Sequence, residues 1–152
     1  MLSGAAMAFT RLLSLRSNTR NPKGQTMSDV VTEPAAFPRD FETALNEADL
    51  EGIVALYDEN AVLHVQTGEI PCGPAAVRAE MQQLIASKAN ITNTLRHTFR
   101  HRDIALIVVD YVLRLTAPDG SPAVVTGTAT NVIQDHPEKG WRMIIANPQG
   151  TA

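Results

Sequence analysis

Two side chains in the sequence have the acid–base chemistry needed to act on a small molecule, His64 and Asp110. An imidazole such as His64 can exchange a proton at neutral pH if it faces a cavity. A carboxylate such as Asp110, placed within an apolar run, is either paired with a neighbour or held as a buried acid. We name both as catalytic candidates, while the sequence leaves the catalytic residues unknown.

The pattern around each candidate argues for a structural role. His64 alternates with Val65 in the run AVLHV, so an inward Val65 places His64 outward as a half-exposed residue. Asp110 lies on the less apolar face of its own run, which favours an outer position beside a partner. The other face of that run should line the core and a cavity, and it comprises Ile107, Val109, Tyr111, Leu113 and Leu115.

Two further histidines and the single cysteine do not form a metal site. His97 and His101 are four residues apart on a predicted strand, so they share a face but lie roughly 13 Å apart. No H-x-H, H-E-x-x-H or C-x-x-C motif occurs. Cys72 has Pro71 and Gly73 on either side and is expected to be a small packed residue. We therefore predict no metal and no cofactor.

Residues with a neutral hydroxyl group are further candidates for a binding site. Tyr57 and Tyr111 each combine an apolar ring with one hydroxyl, which suits a residue that orients a ring-shaped ligand. Both tyrosines could equally be core residues. If the later hairpin pairs Tyr111 with Thr128, then Thr128 and Thr130 lie on the inner face of the sheet. A shift of one residue in that pairing would exchange the two faces.

Three predicted helices precede the strands. The first begins near Pro38 and carries Phe37, Phe41, Leu45 and Ala48 at helical spacing. The second is capped by Asp49, with an apolar stripe of Leu50, Ile53, Val54 and Tyr57. The third opens at Pro74 after a loop rich in glycine and proline, with a stripe of Val77, Met81 and Leu84.

Five strands are predicted: AVLHV before the third helix, then TLRHTFRH, IALIVVDYVLRLT, AVVTGTATNVIQ and WRMIIAN. Trp141 begins the last strand and is expected to pack in the core. Helices followed by a strand meander predict an α+β fold with a curved antiparallel sheet wrapped on the three helices. Curvature leaves a gap between the helices and the concave face, which is the usual form of a small-molecule site.

Composition excludes several classes of partner. The chain has 152 residues with 44% hydrophobic and 19% charged residues, which is typical of one globular domain. No apolar run approaches the roughly 20 residues of a membrane span. Residues 27–152 hold 9 basic and 16 acidic residues, and this acidic character argues against nucleic acid as a partner.

A single cysteine allows no internal disulfide and suits a reducing compartment.

Residues 1–26 differ from the rest, since they carry four basic and no acidic residues. We interpret them as a disordered extension, with a transit peptide as the alternative. The extension and its lead-in are expected to end at residue 36, and the domain to cover 37–150. We predict a cytoplasmic protein, or an organelle-targeted one if residues 1–26 are a transit peptide.

The segment NEADLEGIVALYDENAVLHVQTGEIPCGPAAVRAEM resembles the opening of the SnoaL-like branch of the nuclear-transport-factor-2-like superfamily. The later runs RDIALIVVDYVLRL, DGSPAVVTGTATNVI and KGWRMIIANPQG resemble its closing strands, and the likeness covers about residues 37–150. The resemblance implies a cone-shaped, cystatin-like α+β barrel with a pocket at its wide end. It also implies a homodimer packed through the outer sheet face. It says little about function, because the superfamily includes enzymes and silent binding modules.

The ketosteroid isomerases of this superfamily offer a sharper comparison, because they use a carboxylate base, a tyrosine and a neutral acid. Aligned without gaps from ALYDENA, the base falls at Val65, the tyrosine at Phe41 and the acid near Thr130. Valine cannot accept a proton, so ketosteroid isomerisation is disfavoured. A slip of one residue would place His64 at the position of the base.

Three functional hypotheses follow. The first is a binding module for a hydrophobic small molecule without catalysis. The second is a cofactor-independent enzyme, of isomerase, cyclase, hydratase or oxidoreductase type, acting on a hydrophobic ring-containing substrate. The third is an association domain whose purpose is dimerisation. We predict no nucleic acid or membrane partner. The predicted ligand-binding residues are Phe41, Tyr57, Val65, Met81, Tyr111, Thr128 and Thr130.

Overall fold

The computed structural model describes residues 30–151. The predictions for residues 1–26, extension or transit peptide, therefore lie outside the described residues. The lead-in packs on the domain from Val31 onward, because Val31 is 2% exposed and Pro34 is buried in a short 3₁₀ turn over Pro34–Ala36. Within residues 30–151, no helix is long and apolar enough to cross a bilayer.

Three helices follow in the predicted order: α1 over Phe37–Asn46, α2 over Leu50–Ala55 and α3 over Pro74–Ala86. Proline near the start of α1 and at the start of α3 leaves no helical hydrogen bond unmade. The Asp49 side chain caps α2 as predicted, because its Oδ1 accepts a hydrogen bond from the Gly52 backbone N–H at 2.9 Å.

The five strands form one sheet in the order β1-β5-β4-β3-β2. Their bounds are β1 Tyr57–Leu63, β2 Asn90–His101, β3 Ile104–Thr116, β4 Pro122–His136 and β5 Gly140–Ala146. The predicted α+β class is confirmed. The expectation of a purely antiparallel sheet is wrong, because β1 pairs with β5 in parallel. After β1 the chain crosses through α3 to the far edge and meanders back, so β5 arrives beside β1 running in the same direction.

Two predicted element boundaries around β1 are wrong. Tyr57 begins β1 and does not close α2, because the Leu56 carbonyl already accepts a hydrogen bond from the Met143 N–H of β5 at 2.8 Å. The strand also ends at Leu63, before His64. Between its ends β1 bulges, since Tyr57 pairs with Met143 but Val62 pairs with Ile145.

The predicted register of the hairpin between β3 and β4 is wrong by one residue. Tyr111 pairs with Gly127, and Thr128 pairs with Asp110. The turn decides this register, because the Ala117 N–H bonds to the Ser121 carbonyl at 2.8 Å and leaves a three-residue loop over 118–120. Gly120, with φ 85°, supplies the left-handed residue that such a loop requires.

The core lies between the inner sheet face and the helices. Its largest fully buried side chains belong to both layers, namely Trp141, Phe37, Leu45, Ile53, Ile107, Ile133, Val31 and Val77. Trp141 packs at the start of β5 as predicted. The outer sheet face has no covering layer among residues 30–151, and it exposes Phe99, Ile104, Leu106, Val124 and Ile145.

Replacing Gly140 with alanine should lower the free energy of unfolding by about 2–4 kcal/mol, because strain at positive φ adds to steric overlap. Gly140 has φ 69°, and a Cβ there would lie 2.5 Å from the Val31 carbonyl oxygen. Urea unfolding followed by circular dichroism measures the change. Gly120→Ala is the matched control: φ is 85° and a Cβ would meet nothing within 4 Å. Equal costs at the two positions would contradict the packing of the lead-in on β5.

Candidate functional site

A cavity of about 420 Å³ lies between the inner face of the sheet and the helices. Aliphatic, aromatic and thioether side chains form most of its wall. The apolar lining comprises Phe37, Pro38, Phe41, Leu45, Leu63, Val65, Met81, Leu84, Ile91, Ile107, Val109, Leu113, Leu115, Val125, Ala129, Met143, Ala146 and Pro148. This volume and composition are typical of sites for small molecules.

The polar lining is sparse and nearly uncharged. It comprises Tyr57, His64, Gln66, Glu80, Asn93, Tyr111, Asn131 and Gln149. Glu80 is the one carboxylate among the described lining residues, and none of them is a lysine or arginine. The Asn93 amide is already engaged, because its Nδ2 donates to the Pro38 carbonyl at 2.9 Å. An anion entering this cavity would therefore meet no compensating charge from its described wall.

The structure brings five of the seven predicted ligand-binding residues to the cavity wall: Phe41, Tyr57, Val65, Met81 and Tyr111. Thr128 and Thr130 are placed elsewhere, and the one-residue register shift is the reason. Odd-numbered residues of β4 face inward, so Val125, Ala129 and Asn131 line the cavity in their place. Whether any of these residues binds a ligand stays a prediction.

Thr128 and Asp110 form a pair on the outer face. The Thr128 hydroxyl donates to Asp110 Oδ1 at 2.6 Å, and Arg96 Nε lies 3.4 Å from Asp110 Oδ2. Asp110 is thus outside the cavity and paired, in the position that strand alternation predicts. Its carboxylate has no access to a molecule bound on the inner face, so the catalytic hypothesis for Asp110 has no geometric support.

His64 lies on the cavity wall, and the expectation that it faces outward is wrong. Alternation fails here because β1 ends at Leu63. The His64 N–H then donates to the Ala146 carbonyl at 2.9 Å, while the Val65 N–H donates to the Glu69 carbonyl at 3.2 Å. The chain turns between these bonds, so both His64 and Val65 line the cavity. The His64 Nδ1 lies 2.9 Å from Asn147 Oδ1.

The Tyr57 hydroxyl is a neutral polar group on the wall. Burial raises the pKa of the Tyr57 phenol well above its ordinary value, so the ring keeps its proton throughout the physiological range. No described residue forms a hydrogen bond with this hydroxyl. Its oxygen is also not one of the fully buried polar atoms, so it is accessible. It therefore remains an available donor at the β1 end that lies opposite Met143.

Tyr111 is positioned by a glycine that sequence analysis did not single out. Gly127 is its cross-strand partner, and a Cβ on Gly127 would lie 2.6 Å from the Tyr111 hydroxyl oxygen. The missing side chain lets the ring lie against β4, and the hydroxyl donates to the Pro148 carbonyl at 3.2 Å. With the correct register, the run TGTAT opposite DYV would have indicated this contact.

Sequence analysis also missed Asn131 and Asn147, as well as the polar lining residues Gln66, Glu80, Asn93 and Gln149. The register shift hid Asn131, which was assigned to the outer face. Asn147 precedes Pro148 and has the composition of an ordinary turn, so nothing local indicated its contact with His64.

Among residues 30–151, no group of three or more histidine, cysteine, aspartate or glutamate side chains could hold a metal ion. His97 and His101 are exposed and lie on β2, in the strand that the sequence predicts. Cys72 is exposed, so the expectation of a packed cysteine is wrong. Its backbone bridges to Val62, and this edge contact leaves its side chain outside the core.

Solved structures with the same fold are known from several bacteria. A ketosteroid isomerase-like protein from Erwinia carotovora atroseptica matches with a TM-score of 0.65 and 14% identity, over 74% of this chain and 88% of that one. A nuclear transport factor 2 (NTF2-like) superfamily protein from Salmonella enterica matches with a TM-score of 0.63 and 17% identity, over 76% and 87%.

A third similar structure comes from Thiobacillus denitrificans and is named as a candidate calcium/calmodulin-dependent protein kinase type II association domain. It has a TM-score of 0.63 and 22% identity, over 78% of this chain and 94% of that one. At these identities the likeness shows a shared fold alone. No curated protein matches the chain in sequence.

The family profile of the SnoaL-like domain matches residues 39–136, which is more than half of the chain. That match begins in α1 and ends with β4, so it includes the elements that form most of the cavity wall. The resemblance noted in the sequence is confirmed, and this chain belongs to the SnoaL-like domain family.

Proposed function

We propose that this protein is a small-molecule binding module that takes a neutral, largely apolar ligand into the cavity between its sheet and its helices. The observation that carries the proposal is a cavity of about 420 Å³ whose wall is mostly hydrocarbon. Genuinely apolar cavities bind apolar molecules readily, because such a ligand gains dispersion contacts and leaves water.

The charge of the wall supports a neutral ligand. Its one described carboxylate, Glu80, is only partly buried, and no described cation balances a bound anion. Moving an ion out of water without a partner costs several kcal/mol in effective terms. Polar lining groups are hydroxyl, amide and imidazole, which discriminate neutral ligands by hydrogen-bond pattern rather than by charge.

A binding role is favoured over catalysis because of what stands at the expected position of the base. Val65 lies on the cavity wall, where the aligned ketosteroid isomerases carry a carboxylate. Asp110 is turned away from the cavity and bound to Thr128. Neither position therefore offers a carboxylate to a bound molecule, and Glu80 is the one carboxylate on the described wall.

A second candidate function is a cofactor-independent enzyme acting on a hydrophobic ring-containing substrate. The observation that favours it is the position of His64 on the cavity wall. Imidazole is the commonest general acid–base group. The alternative is tested at His64: turnover of a ring-containing substrate that His64→Leu abolishes would support an enzyme, and a parent protein without such turnover would contradict it.

We also propose a homodimer through the outer sheet face. Strand register aligns Phe99, Leu106, Val132 and Ile145 in one apolar row across four strands. Phe99 is 59% exposed and Ile145 is 43% exposed. A second copy fits such a row because a twofold axis sets the same apolar surface against itself. An association role, the third hypothesis, would require this interface and no ligand.

Filling the cavity should weaken the binding of a neutral fluorescent probe, N-phenyl-1-naphthylamine. Ala129→Leu adds three carbons on the inner face of β4, so probe affinity should fall by about tenfold or more. Fluorescence titration measures the change. Thr126→Leu is the matched control on the exposed outer face of the same strand and should bind like the parent. If Ala129→Leu fails to fold, Leu113→Phe replaces it. Unchanged affinity in a folded cavity variant would sink the proposal.

A lysine at Leu106 should convert the dimer to a monomer, because it buries a charge in the centre of the apolar row. Light scattering after size exclusion should give twice the 16.4 kDa chain mass for the parent and the chain mass for Leu106→Lys. Ile70→Lys is the matched control, since Ile70 is 66% exposed but lies in the loop between β1 and α3 and outside the apolar row. A monomeric parent protein would refute the proposed interface.

A further inference from the structure

Asn147, directly after β5, has a fully occupied amide side chain. Its Nδ2 donates to Thr130 Oγ1 and to the Gly150 carbonyl, each at 2.8 Å. A carbonyl oxygen only accepts hydrogen bonds, so the Gly150 contact requires the NH₂ group on that side. The amide oxygen must then face His64. The orientation of this side chain is thus set by its partners and does not depend on telling nitrogen from oxygen.

The fixed amide selects one form of His64. Because Asn147 Oδ1 only accepts, His64 Nδ1 at 2.9 Å must carry a hydrogen and donate it. In the neutral imidazole the other nitrogen, Nε2, is then an acceptor with a free lone pair. Asn147 acts here as a positioning residue, because it holds the ring and its tautomer without lining the cavity itself.

The Nε2 atom of His64 is open to a partner. No residue of the described part of the chain forms a hydrogen bond with it. It is also not one of the fully buried polar atoms there, so it is accessible. His64 lies on the cavity wall. An acceptor on an apolar wall loses free energy if it forms no hydrogen bond, so water or a donor group of a ligand must bind to it.

Asn131 supplies a complementary donor close by. Its Oδ1 accepts the backbone N–H of Asn147 at 2.8 Å, and an N–H only donates, so the Asn131 NH₂ must point away from Asn147. No residue between 30 and 151 accepts from this NH₂, and it is not sealed from solvent. Asn131 lines the cavity. Asn147 bonds to both residues, to His64 through its side-chain oxygen and to Asn131 through its backbone N–H. His64 and Asn131 are therefore neighbours of the same residue and both line the cavity, and we call this part of the wall the corner.

We propose that this corner, His64 Nε2 with Asn131 Nδ2, binds a hydroxyl group of an otherwise apolar ligand. A hydroxyl is the smallest group that donates one hydrogen bond and accepts another, so it satisfies both atoms at once. An ether or ketone oxygen can only accept and would leave Nε2 unpaired. A carboxylate cannot donate and would meet Glu80 without any cation on the described wall. The inference rests on the proposed binding function and names the ligand class for the same cavity.

The first test needs no ligand. In ¹⁵N-labelled full-length protein at a pH where His64 is neutral, long-range ¹⁵N–¹H correlation spectra should show a protonated Nδ1 and a bare Nε2. Asn147→Leu removes the acceptor and should produce a mixture of the two tautomers. Thr130→Val, which removes one partner of Asn147 but not its oxygen, should keep most of the Nδ1–H form. A protonated Nε2 in the parent protein overturns the inference, whatever binds in the cavity.

The second test compares 1-naphthol with 1-methoxynaphthalene. Both probes are neutral, and in the second a methyl group replaces the hydroxyl hydrogen. Calorimetric titration should give the parent protein a preference of about tenfold or more for 1-naphthol, as expected where a buried acceptor would otherwise go unpaired. His64→Leu should reduce this preference to within about twofold and retain 1-methoxynaphthalene binding. His64→Gln, which keeps an acceptor, should restore part of the preference.

The outcomes separate the two proposals. Equal affinity of the parent for both probes overturns the hydroxyl corner and leaves the binding function intact. A preference that His64→Leu does not reduce also overturns the corner. Failure of the parent to bind either probe overturns the binding function for bicyclic ligands and the inference that depends on it.

Discussion

The register between β3 and β4 is the constraint on which the site depends. A three-residue loop with Gly120 in a left-handed conformation aligns Tyr111 with Gly127. This alignment places glycine and alanine on the inner face of β4 where the neighbouring register would place threonines. Small residues there leave space that α1 and α3 do not fill. The turn therefore leaves room for the cavity and keeps the threonine hydroxyl groups of β4 out of its wall.

The end of β1 determines which polar side chains reach the cavity wall. Once the strand stops at Leu63, the backbone turns and presents both His64 and Val65 to the cavity. The residues after β5 complete the arrangement, since Asn147 follows the last strand and holds the imidazole. The polar groups of the proposed hydroxyl corner thus lie beside the place where two parallel strands end together. The regular part of the sheet supplies the apolar wall.

Local chemistry was enough to predict much of this structure. Proline and aspartate at helix starts, helical stripes and β-branched runs gave the helix and strand order, and the motifs around DLEGIVALYDENA indicated the family. The predictions that are wrong concern features set by contacts between residues distant in sequence. Leu56 bonds to Met143 and so draws Tyr57 into the sheet, and β5 meets β1 in parallel only because α3 carries the chain across. Alternation around His64 failed because a strand end is set by its partner strand.

The proposed site exists only if the space between sheet and helices is hollow and apolar. A crystal structure of the protein under xenon pressure tests it most directly, because xenon enters dry apolar cavities and scatters strongly. We expect xenon between Phe41 on α1 and Ala129 on β4, with the surrounding side chains unmoved. Side chains that close this space and leave no xenon there would contradict the account.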